Sequence, residues 1–182
     1  MNTAVKFTYE EYRTLPENGR HYQVVDGDLI MSPAPTTRHQ HVLASIFVAL
    51  WSFAKGRRRG MVLCSPLDVI LSEDNIVQPD IVYISSKRRG IVFREGIRGA
   101  PDLCVEILSP SNRDLDLNAK RLLYARFGLP ELWIVDPDAN ALHLFRLHVN
   151  HRVPLKVFGA NDTLTSRLLP GFSLPLGDVF AK

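Results

Sequence analysis

The chain has 182 residues and a mass of 20.5 kDa, the size of one ordinary domain, which at this length buries roughly 70% of its unfolded surface. A hydrophobic content of 46% and a charged content of 23% exclude a long disordered chain, a collagen-like repeat and a coiled-coil rod. The net charge of +3 permits an anionic partner without requiring one.

Membrane and disulfide classes are also excluded by simple patterns. The longest apolar stretch, Val42 to Ala54, is shorter than the about 20 residues that cross a bilayer, and Met1 to Lys6 contains no apolar signal core. Cys64 and Cys104 are the only cysteines, too few for a disulfide framework and without the spacing of a zinc site. We therefore expect one cytoplasmic domain over residues 1–182, with no membrane partner.

The first third of the chain carries signals for two helices and a hairpin. The predicted elements are a short helix from Thr8 to about Leu15, hairpin strands Tyr22–Val25 and Leu29–Met31, and a long helix Thr37–Lys55. Thr8 followed by Glu11 resembles a capping box. Asp26-Gly27 tolerates the backbone angles of a tight turn. Apolar residues three and four apart, ended by Gly56, indicate the long helix.

The rest of the chain alternates strands with one more helix. The predicted strands are Met61–Cys64, Leu67–Leu71, Ile76–Ile84, Leu103–Leu108, Leu132–Val135, Ala141–Leu147 and a weaker Arg152–Phe158, and the predicted helix is Asp114–Phe127. Leu103–Leu108 is apolar except for Glu106, which is typical of a strand covered on both faces. Asp114 and Asp116 in the first turn and Gly128 at the end favour the helix.

Two carboxylates stand in apolar strands, where an unpaired charge is costly. Glu106 interrupts one strand, and Asp80 follows Pro79 at the entrance of another. If these strands are neighbours, both carboxylates can converge on one hard divalent cation. The alternative is that each pairs with an arginine or caps a backbone amide, and spacing alone leaves both interpretations open.

Lys120 lies on the shoulder of the predicted buried stripe of the second long helix. That stripe consists of Leu115, Ala119, Leu122, Leu123 and Phe127. From the shoulder Lys120 can reach inward. The alternative is an exposed pair with Asp116 four residues earlier, worth roughly 0.2–0.5 kcal/mol, and the helical pattern taken alone favours that pair.

A series of motifs, in the right order along nearly the whole chain, carries a family resemblance. They are Tyr22-Gln23-Val24-Val25-Asp26-Gly27-Asp28-Leu29, Arg38-His39, Pro66-Leu67-Asp68-Val69, Val77-Gln78-Pro79-Asp80, Gly99 to Ser111, Lys120 with Tyr124, Trp133-Ile134-Val135-Asp136-Pro137 and Leu169-Pro170-Gly171-Phe172. The chain resembles the Uma-two family, restriction-endonuclease-like proteins of the PD-(D/E)XK nuclease superfamily. The Gln-Pro-Asp and Val-Glu-Ile-Leu-Ser-Pro-Ser segments are specific to this resemblance.

The resemblance implies a set of site residues. Asp80 is the aspartate of the Pro-Asp half motif and Glu106 the acid of the second half; with the backbone carbonyl of Ile107 they would hold the metal. The wider superfamily has a lysine two residues after that acid, where this chain has Leu108, and Lys120 looks like the family's migrated lysine.

Gln23 departs from the family pattern. The family usually has a glutamate at this position, and a neutral amide is a weaker metal ligand than a carboxylate. A second metal ion would therefore bind poorly or not at all.

The implied fold is an α/β restriction-endonuclease-like mixed β-sheet flanked by helices, with a β-rich C-terminal extension. The implied activity is hydrolysis of phosphodiester bonds in DNA by a Mg²⁺-dependent or Mn²⁺-dependent endonuclease. The alternative is a nuclease-fold module that has lost efficient cleavage and serves in nucleic-acid binding or protein interaction; Gln23 favours it. A fold alone does not decide between them. The sequence leaves a homodimer open.

His39 and two basic segments complete the candidate residues. His39 extends the buried stripe of the first long helix, so it either faces the site or is a core or capping histidine. The basic residues proposed to contact phosphates are Arg57, Arg58, Arg59, Lys87, Arg88 and Arg89. Solvated loops also collect such residues, and no aromatic residue alternates with them for base stacking.

Overall fold

A computed structural model describes residues 6–16, 20–56, 59–110 and 113–181. Its larger sheet has six strands in the spatial order β11-β10-β9-β8-β6-β3. These strands are β3 (Gly60–Cys64), β6 (Ile81–Ser85), β8 (Leu103–Ile107), β9 (Glu131–Asp136), β10 (Ala141–Arg146) and β11 (Lys156–Gly159). β8 and β9 run parallel, and the other neighbours are antiparallel. The predicted mixed sheet is confirmed.

A second sheet of five strands packs beside the first, in the order β2-β1-β5-β4-β7. It consists of β1 (His21–Val25), β2 (Asp28–Ser32), β4 (Val69–Ser72), β5 (Asn75–Val77) and β7 (Ile97–Arg98). The predicted hairpin is confirmed in register, since Val25 pairs with Asp28 across a turn in which Asp26 and Gly27 have φ of 52° and 82°. These left-handed angles are the ones that glycine and aspartate tolerate best.

Helices cover both faces of the larger sheet. They are α1 (Tyr9–Tyr12), α2 (Thr37–Gly56), a 3₁₀ helix (Ser86–Ile91), a π-helix (Leu115–Lys120) that continues as α3 (Arg121–Arg126), and α4 (Leu176–Phe180). The apolar stripe of α2, including Ile46 and Leu50, is buried against alternate residues of β8 such as Val105. The opposite face of β8, represented by Cys104, packs with Leu123 of α3 and the smaller sheet. Burial on both faces explains the continuous apolar run of β8.

The C-terminal extension is rich in β structure, as expected. It includes β11 and a small two-stranded sheet of β12 (Thr163–Leu164) and β13 (Leu174–Pro175) before α4. Arg38 at the start of α2 holds the end of the extension against this helix, because its guanidinium donates to the carbonyls of Phe180 and Ala181 at 2.8 and 2.7 Å. In the described residues, no helix combines the length and apolar content that a bilayer crossing requires.

The single strand predicted over Ile76–Ile84 is wrong. The chain forms β5 in the smaller sheet, leaves it at Gln78-Pro79-Asp80, and then forms β6 in the larger sheet. Proline has no N–H to donate to a ladder, so the apolar run is divided where Pro79 stands. The break places Asp80 at the junction between the two sheets.

The helix predicted over Asp114–Phe127 is present but not regular. Its first half is the π-helix, with more residues per turn than an α-helix. The face that becomes buried therefore differs from the 3.6-residue pattern: Leu122 is 49% exposed, whereas Asp116 and Lys120 are 3% and 2% exposed. The predicted stripe was wrong at Leu122.

The other boundaries differ by smaller amounts. The capping box of Thr8 and Glu11 is present, but α1 ends at Tyr12 rather than near Leu15. The strand predicted from Leu67 begins two residues later, at Val69. Only the end of the predicted Arg152–Phe158 strand forms, as β11.

Candidate active site

A small cavity of about 140 Å³ opens where the two sheets meet, at the N-terminal end of α2. Its walls include Gln23, His39, Asp80, Glu106, Asp116 and Lys120. The first comes from β1, the second from α2, and the others from the edge of β6, from β8 and from the π-helix. The fold thus brings together all three predicted catalytic residues and both predicted accessory residues.

Asp80 is held by the strand next to its own. Its Oδ2 accepts the backbone N–H of Ile107 at 2.7 Å and lies 3.3 Å from Nε2 of His39. The Asp80 carbonyl accepts the N–H of Ser65 at 3.0 Å. In the described residues these side-chain contacts all use Oδ2, which leaves Oδ1 available to a ligand.

Glu106 lies on β8 with only 1% of its surface exposed. Its Oε2 is 3.0 Å from Nζ of Lys120, and its Oε1 accepts the hydroxyl of Tyr124 at 2.5 Å. Both contacts favour the ionised carboxylate, and each oxygen keeps a second lone pair for a further ligand. The Glu106 carboxylate is therefore held in one orientation while each of its oxygens can still accept another ligand.

Asp116 is the third carboxylate of the site, and the sequence patterns did not place it there. Its Oδ1 lies 3.0 Å from Nζ of Lys120, yet in the described structure this buried oxygen has no hydrogen bond of good geometry. The i, i+4 pair with Lys120 was anticipated, but as an exposed pair. The signal that could have found it is its position in the first turn of a helix whose lysine faces inward.

Lys120 therefore bridges two carboxylates, Glu106 and Asp116, in a buried position. Burial alone would lower the pKa of Lys120, but the negative charges of Glu106, Asp116 and Asp80 outweigh it and raise that pKa. The side chain is consequently an ammonium at neutral pH. It can donate hydrogen bonds and stabilise negative charge, but it does not serve as a base.

The carboxylates show the opposite effect of burial. Desolvation raises the pKa of Glu106 to about 8, although the charge of Lys120 opposes the shift, and the nearby charges of Asp116 and Asp80 add to it. Desolvation also raises the pKa of Asp116, although the positive charge of Lys120 opposes that shift. Two or three carboxylates in one poorly solvated cleft disfavour joint ionisation. Extra positive charge in the cleft would relieve this repulsion.

His39 faces the site, which answers the question that its position on α2 left open. Burial alone would lower its pKa, but its contacts with the Asp80 carboxylate and the backbone of Ile107 outweigh burial and raise it. The imidazole thus lies beside two of the three predicted ligand groups. Its Nδ1 is buried without a hydrogen-bond partner in the described residues.

Gln23 has both ends of its amide engaged. Its Oε1 accepts the N–H of Gln78 at 2.9 Å, and its Nε2 donates to Oγ of Ser32 at 3.1 Å. The first bond fixes the segment that leads to Asp80, two residues later. Gln23 therefore positions the Asp80 segment as well as lining the cavity.

The donor set fits a hard cation such as Mg²⁺ better than a zinc ion. In the described part of the chain, no three His, Cys, Asp or Glu side chains form a complete metal-binding group. Mg²⁺ needs fewer protein ligands, because it commonly uses one or two carboxylates and keeps several waters. Asp80, Glu106 and Ile107 all line the cavity and are the residues that could supply such a set.

The balance of charges in the site also favours a bound cation. Three carboxylates, Asp80, Glu106 and Asp116, face a single lysine, Lys120. With all of them ionised the cluster carries an excess of negative charge that His39 can only partly offset. Lys120 is shared between Glu106 and Asp116, so one positive charge faces two buried negative charges.

The basic residues predicted to contact phosphates divide into two groups. Arg59 donates to the carbonyl of Pro170 at 2.7 Å, and Arg88 donates to the carbonyl of Ala100 at 2.7 Å. Both guanidinium groups thus bind the protein itself.

Of the remaining four basic residues, two are exposed and two lie outside the described residues. Lys87 and Arg89 are exposed on the 3₁₀ helix. Arg57 and Arg58 lie outside the described residues.

Comparison with known proteins agrees with this architecture. One solved structure, a "putative nuclease belonging to DUF820" from Anabaena variabilis, superimposes with a TM-score of 0.79 at 22% identity, over 96% of this chain and 98% of that one. At that identity the likeness shows the fold alone. No curated protein matches the chain. A family model described as "Putative restriction endonuclease" matches residues 9–177, so the chain belongs to the Uma2 family, the Uma-two family of the motifs above.

Proposed function

We propose that this protein is a divalent-metal-dependent nuclease that hydrolyses phosphodiester bonds in DNA, with Mg²⁺ or Mn²⁺ as its ion. One observation carries the proposal: Asp80, Glu106 and Lys120 come from distant parts of the sequence and meet in one cleft with an excess of carboxylates. Membership of a family described as putative restriction endonucleases supports the nuclease class.

Asp80, Glu106 and the Ile107 carbonyl would hold the ion. When bound, such an ion lowers the pKa of a coordinated water and offsets charge on the phosphate. Asp80 Oδ2 is kept in place by the Ile107 N–H, and Glu106 by Tyr124, so both carboxylates are oriented before any ligand arrives. Preorganised ligands cost no reorganisation during the reaction.

Lys120 would donate to the scissile phosphate or to the attacking water. Its raised pKa keeps it an ammonium, and the 3.0 Å contacts with Glu106 and Asp116 fix where the ammonium points. Asp116 acts through Lys120 and is a positioning residue. His39 lies 3.3 Å from Asp80 Oδ2 and, when protonated, would offset the charge of that carboxylate.

The direct test incubates supercoiled plasmid DNA with the protein in Mg²⁺, in Mn²⁺ or in EDTA, using wild type and Glu106→Ala. We expect metal-dependent nicking by wild type only. Equal nicking by Glu106→Ala would assign the activity to a contaminant. Lys120→Ala is a poor first variant, because leaving its buried carboxylates unpaired costs roughly 3–5 kcal/mol.

The second candidate is a nucleic-acid-binding or protein-interaction module without efficient cleavage. The observation that favours it is Gln23, a neutral amide with both ends engaged where the family usually has a carboxylate. Inactivity on single-stranded and duplex DNA and RNA, in either metal, would favour this module over the nuclease.

A further inference from the structure

A second pocket lies at the other end of α2 from the cleft, with a volume of about 720 Å³. Its walls include Trp51 and Lys55 of α2, Gly60 and Met61 of β3, and Ser86 and Arg89 of the 3₁₀ helix. Trp51 is 43% exposed, and the Nζ of Lys55 lies 4.3 Å from its ring centroid. A large aromatic side chain left open to solvent beside a cation is a feature of binding surfaces.

The charge of this pocket has one sign. Lys55 and Arg89 line it, Lys87 is exposed nearby on the 3₁₀ helix, and no acidic residue is among its described walls. In the described structure the Lys87 and Arg89 side chains form no ion pair, unlike Arg88, which pairs with Asp102. The pocket thus combines an aromatic platform with uncompensated cations, which suits a ligand that is both planar and anionic.

Strand β3 connects this pocket to the catalytic cleft. It is an edge strand of the larger sheet, and its register pairs Gly60 with Ser85 at one end and Cys64 with Ile81 at the other. The next residue, Ser65, lines the cleft and donates to the Asp80 carbonyl at 3.0 Å. From Gly60 to Cys64 a strand extends about 13 Å at ~3.3 Å per residue. A single nucleic-acid strand covers that length in a few nucleotides.

We propose that the pocket binds an unpaired nucleobase stacked on Trp51, with the flanking phosphates at Lys55 and Arg89. The bound strand follows the β3 edge into the cleft, so the stacked nucleotide lies a small, fixed number of nucleotides from the bond to be cut. This proposal rests on the proposed nuclease function. Base stacking on an aromatic ring tolerates any base. The pocket would therefore fix the distance to the cleaved bond without selecting a sequence.

Tryptophan fluorescence tests the contact directly, because the chain has two tryptophans and Trp133 is fully buried. A single-stranded DNA 12-mer is added to the protein in EDTA, and binding is followed by tryptophan emission and by anisotropy of a labelled strand. We expect quenching in wild type, its loss in Trp51→Phe, and affinity about 5-fold to 150-fold weaker in Trp51→Ala. The control Val157→Ala changes a residue of similar exposure on the opposite edge strand, β11, and should bind like wild type.

The cationic part of the pocket is tested by salt dependence. Lys55→Ala and Arg89→Ala should each reduce the slope of log affinity against log salt by about 0.7, the value for one phosphate contact with a single strand. Arg152→Ala removes an exposed arginine from the loop before β11 and should leave the slope unchanged. Equal slopes in all three variants would overturn the assignment of phosphates to this pocket.

The distance is tested with oligonucleotides in which a single abasic nucleotide occupies successive positions relative to the cleaved bond. Cleavage in Mn²⁺ should fall when the abasic nucleotide occupies one position, a few nucleotides from that bond, and only there. A cleavage profile that does not depend on the abasic position would overturn the pocket proposal. So would DNA binding that leaves the tryptophan emission of wild type unchanged while Trp51→Ala binds with wild-type affinity. Either result leaves the nuclease proposal intact. Absence of both binding and cleavage on every strand overturns both.

Discussion

Two buried glutamates on neighbouring strands make an instructive pair. Glu106 on β8 and Glu131 on β9 are each 1% exposed, and burial raises the pKa of both. Glu131 accepts the indole N–H of Trp133 at 2.8 Å and the hydroxyl of Ser166 at 2.5 Å. It therefore links the C-terminal extension to the sheet through hydrogen bonds from two uncharged donors.

Glu106 differs in its neighbours and not in its burial. A cation lowers the pKa of each, Lys120 for Glu106 and Arg146 for Glu131, but only Glu106 has two further carboxylates, Asp116 and Asp80, that raise it. Glu106 also borders a cavity with room for a ligand. A raised pKa alone thus does not distinguish a functional carboxylate from a structural one; the surplus of like charge around an opening does.

The largest effect expected from this comparison is on cleavage. Glu106→Gln should reduce the rate by roughly 10²- to 10³-fold, because a lost metal ligand removes several kcal/mol of transition-state stabilisation. Glu131→Gln should cleave near the wild-type rate per folded molecule, since the amide oxygen can still accept from Trp133 and Ser166. Plasmid nicking, normalised to the folded fraction from circular dichroism, provides the measurement.

The contrast would break if both variants lost activity equally while remaining folded. That result would place Glu131 in the catalytic machinery, or would show that the sheet transmits damage at either glutamate to the cleft.

The next effect is on stability in the presence of metal. An ion at ten times its dissociation constant adds about 1.4 kcal/mol, which for a chain of this size raises the melting temperature by about 3–6 °C. Wild type and Glu131→Gln should show this increase with Mg²⁺ or Mn²⁺, whereas Glu106→Gln and Asp80→Ala should not. A thermal melt of all four proteins measures it, and an increase retained in Asp80→Ala would argue against the site.

A smaller effect concerns repulsion among the carboxylates in the metal-free protein. Burial raises the pKa of Asp116 in the folded state, so the stability linked to its neutral form is full below pH about 3.8 and is lost as pH rises through the folded-state pKa. Asp116→Asn does not titrate and keeps Lys120 paired with Glu106. Its stability advantage over wild type should therefore grow from acidic to neutral pH.

Urea unfolding in EDTA at a series of pH values measures this advantage. The control Asp28→Asn removes an exposed carboxylate on β2 and should follow wild type closely at every pH, because solvent screens its interactions. An advantage of Asp116→Asn that does not depend on pH would mean that the repulsion is negligible.

Local sequence signals were sufficient to identify the carboxylates that interrupt or begin apolar strands as candidate site residues. Glu106 stands out because its five-residue strand is otherwise apolar, and Asp80 because Pro79 precedes an apolar run. Glu131 was not anticipated as a buried charge, since it follows Pro130 and resembles the end of a turn. One of its hydrogen-bond donors, Ser166, lies 35 residues later in the chain, and only the folded extension brings it near.

For the helix that carries Lys120, local sequence signals did not predict which residues are buried. Its π-helical first half changes which residues point inward, so a 3.6-residue pattern placed Leu122 in the core and Asp116 outside. Nothing local in the sequence specifies that wider turn. The buried Asp116 and Lys120 are held by each other and by Glu106, an arrangement that only the tertiary structure defines.

The smallest and most specific effect is expected at Gln23. Gln23→Glu should retain the bond from the Gln78 N–H, while the Ser32 hydroxyl turns to donate instead of accept. In EDTA the added carboxylate increases repulsion in the cleft and should lower the melting temperature. With Mn²⁺ the same carboxylate becomes favourable, so the metal-induced increase should exceed that of wild type. The control Gln40→Glu adds equal charge at the exposed mouth of the cavity and should show a wild-type increase. If Gln23→Glu also matches wild type while Glu106→Gln shows no increase, the ion depends on Asp80 and Glu106 alone, and Gln23 serves only to position the Asp80 segment.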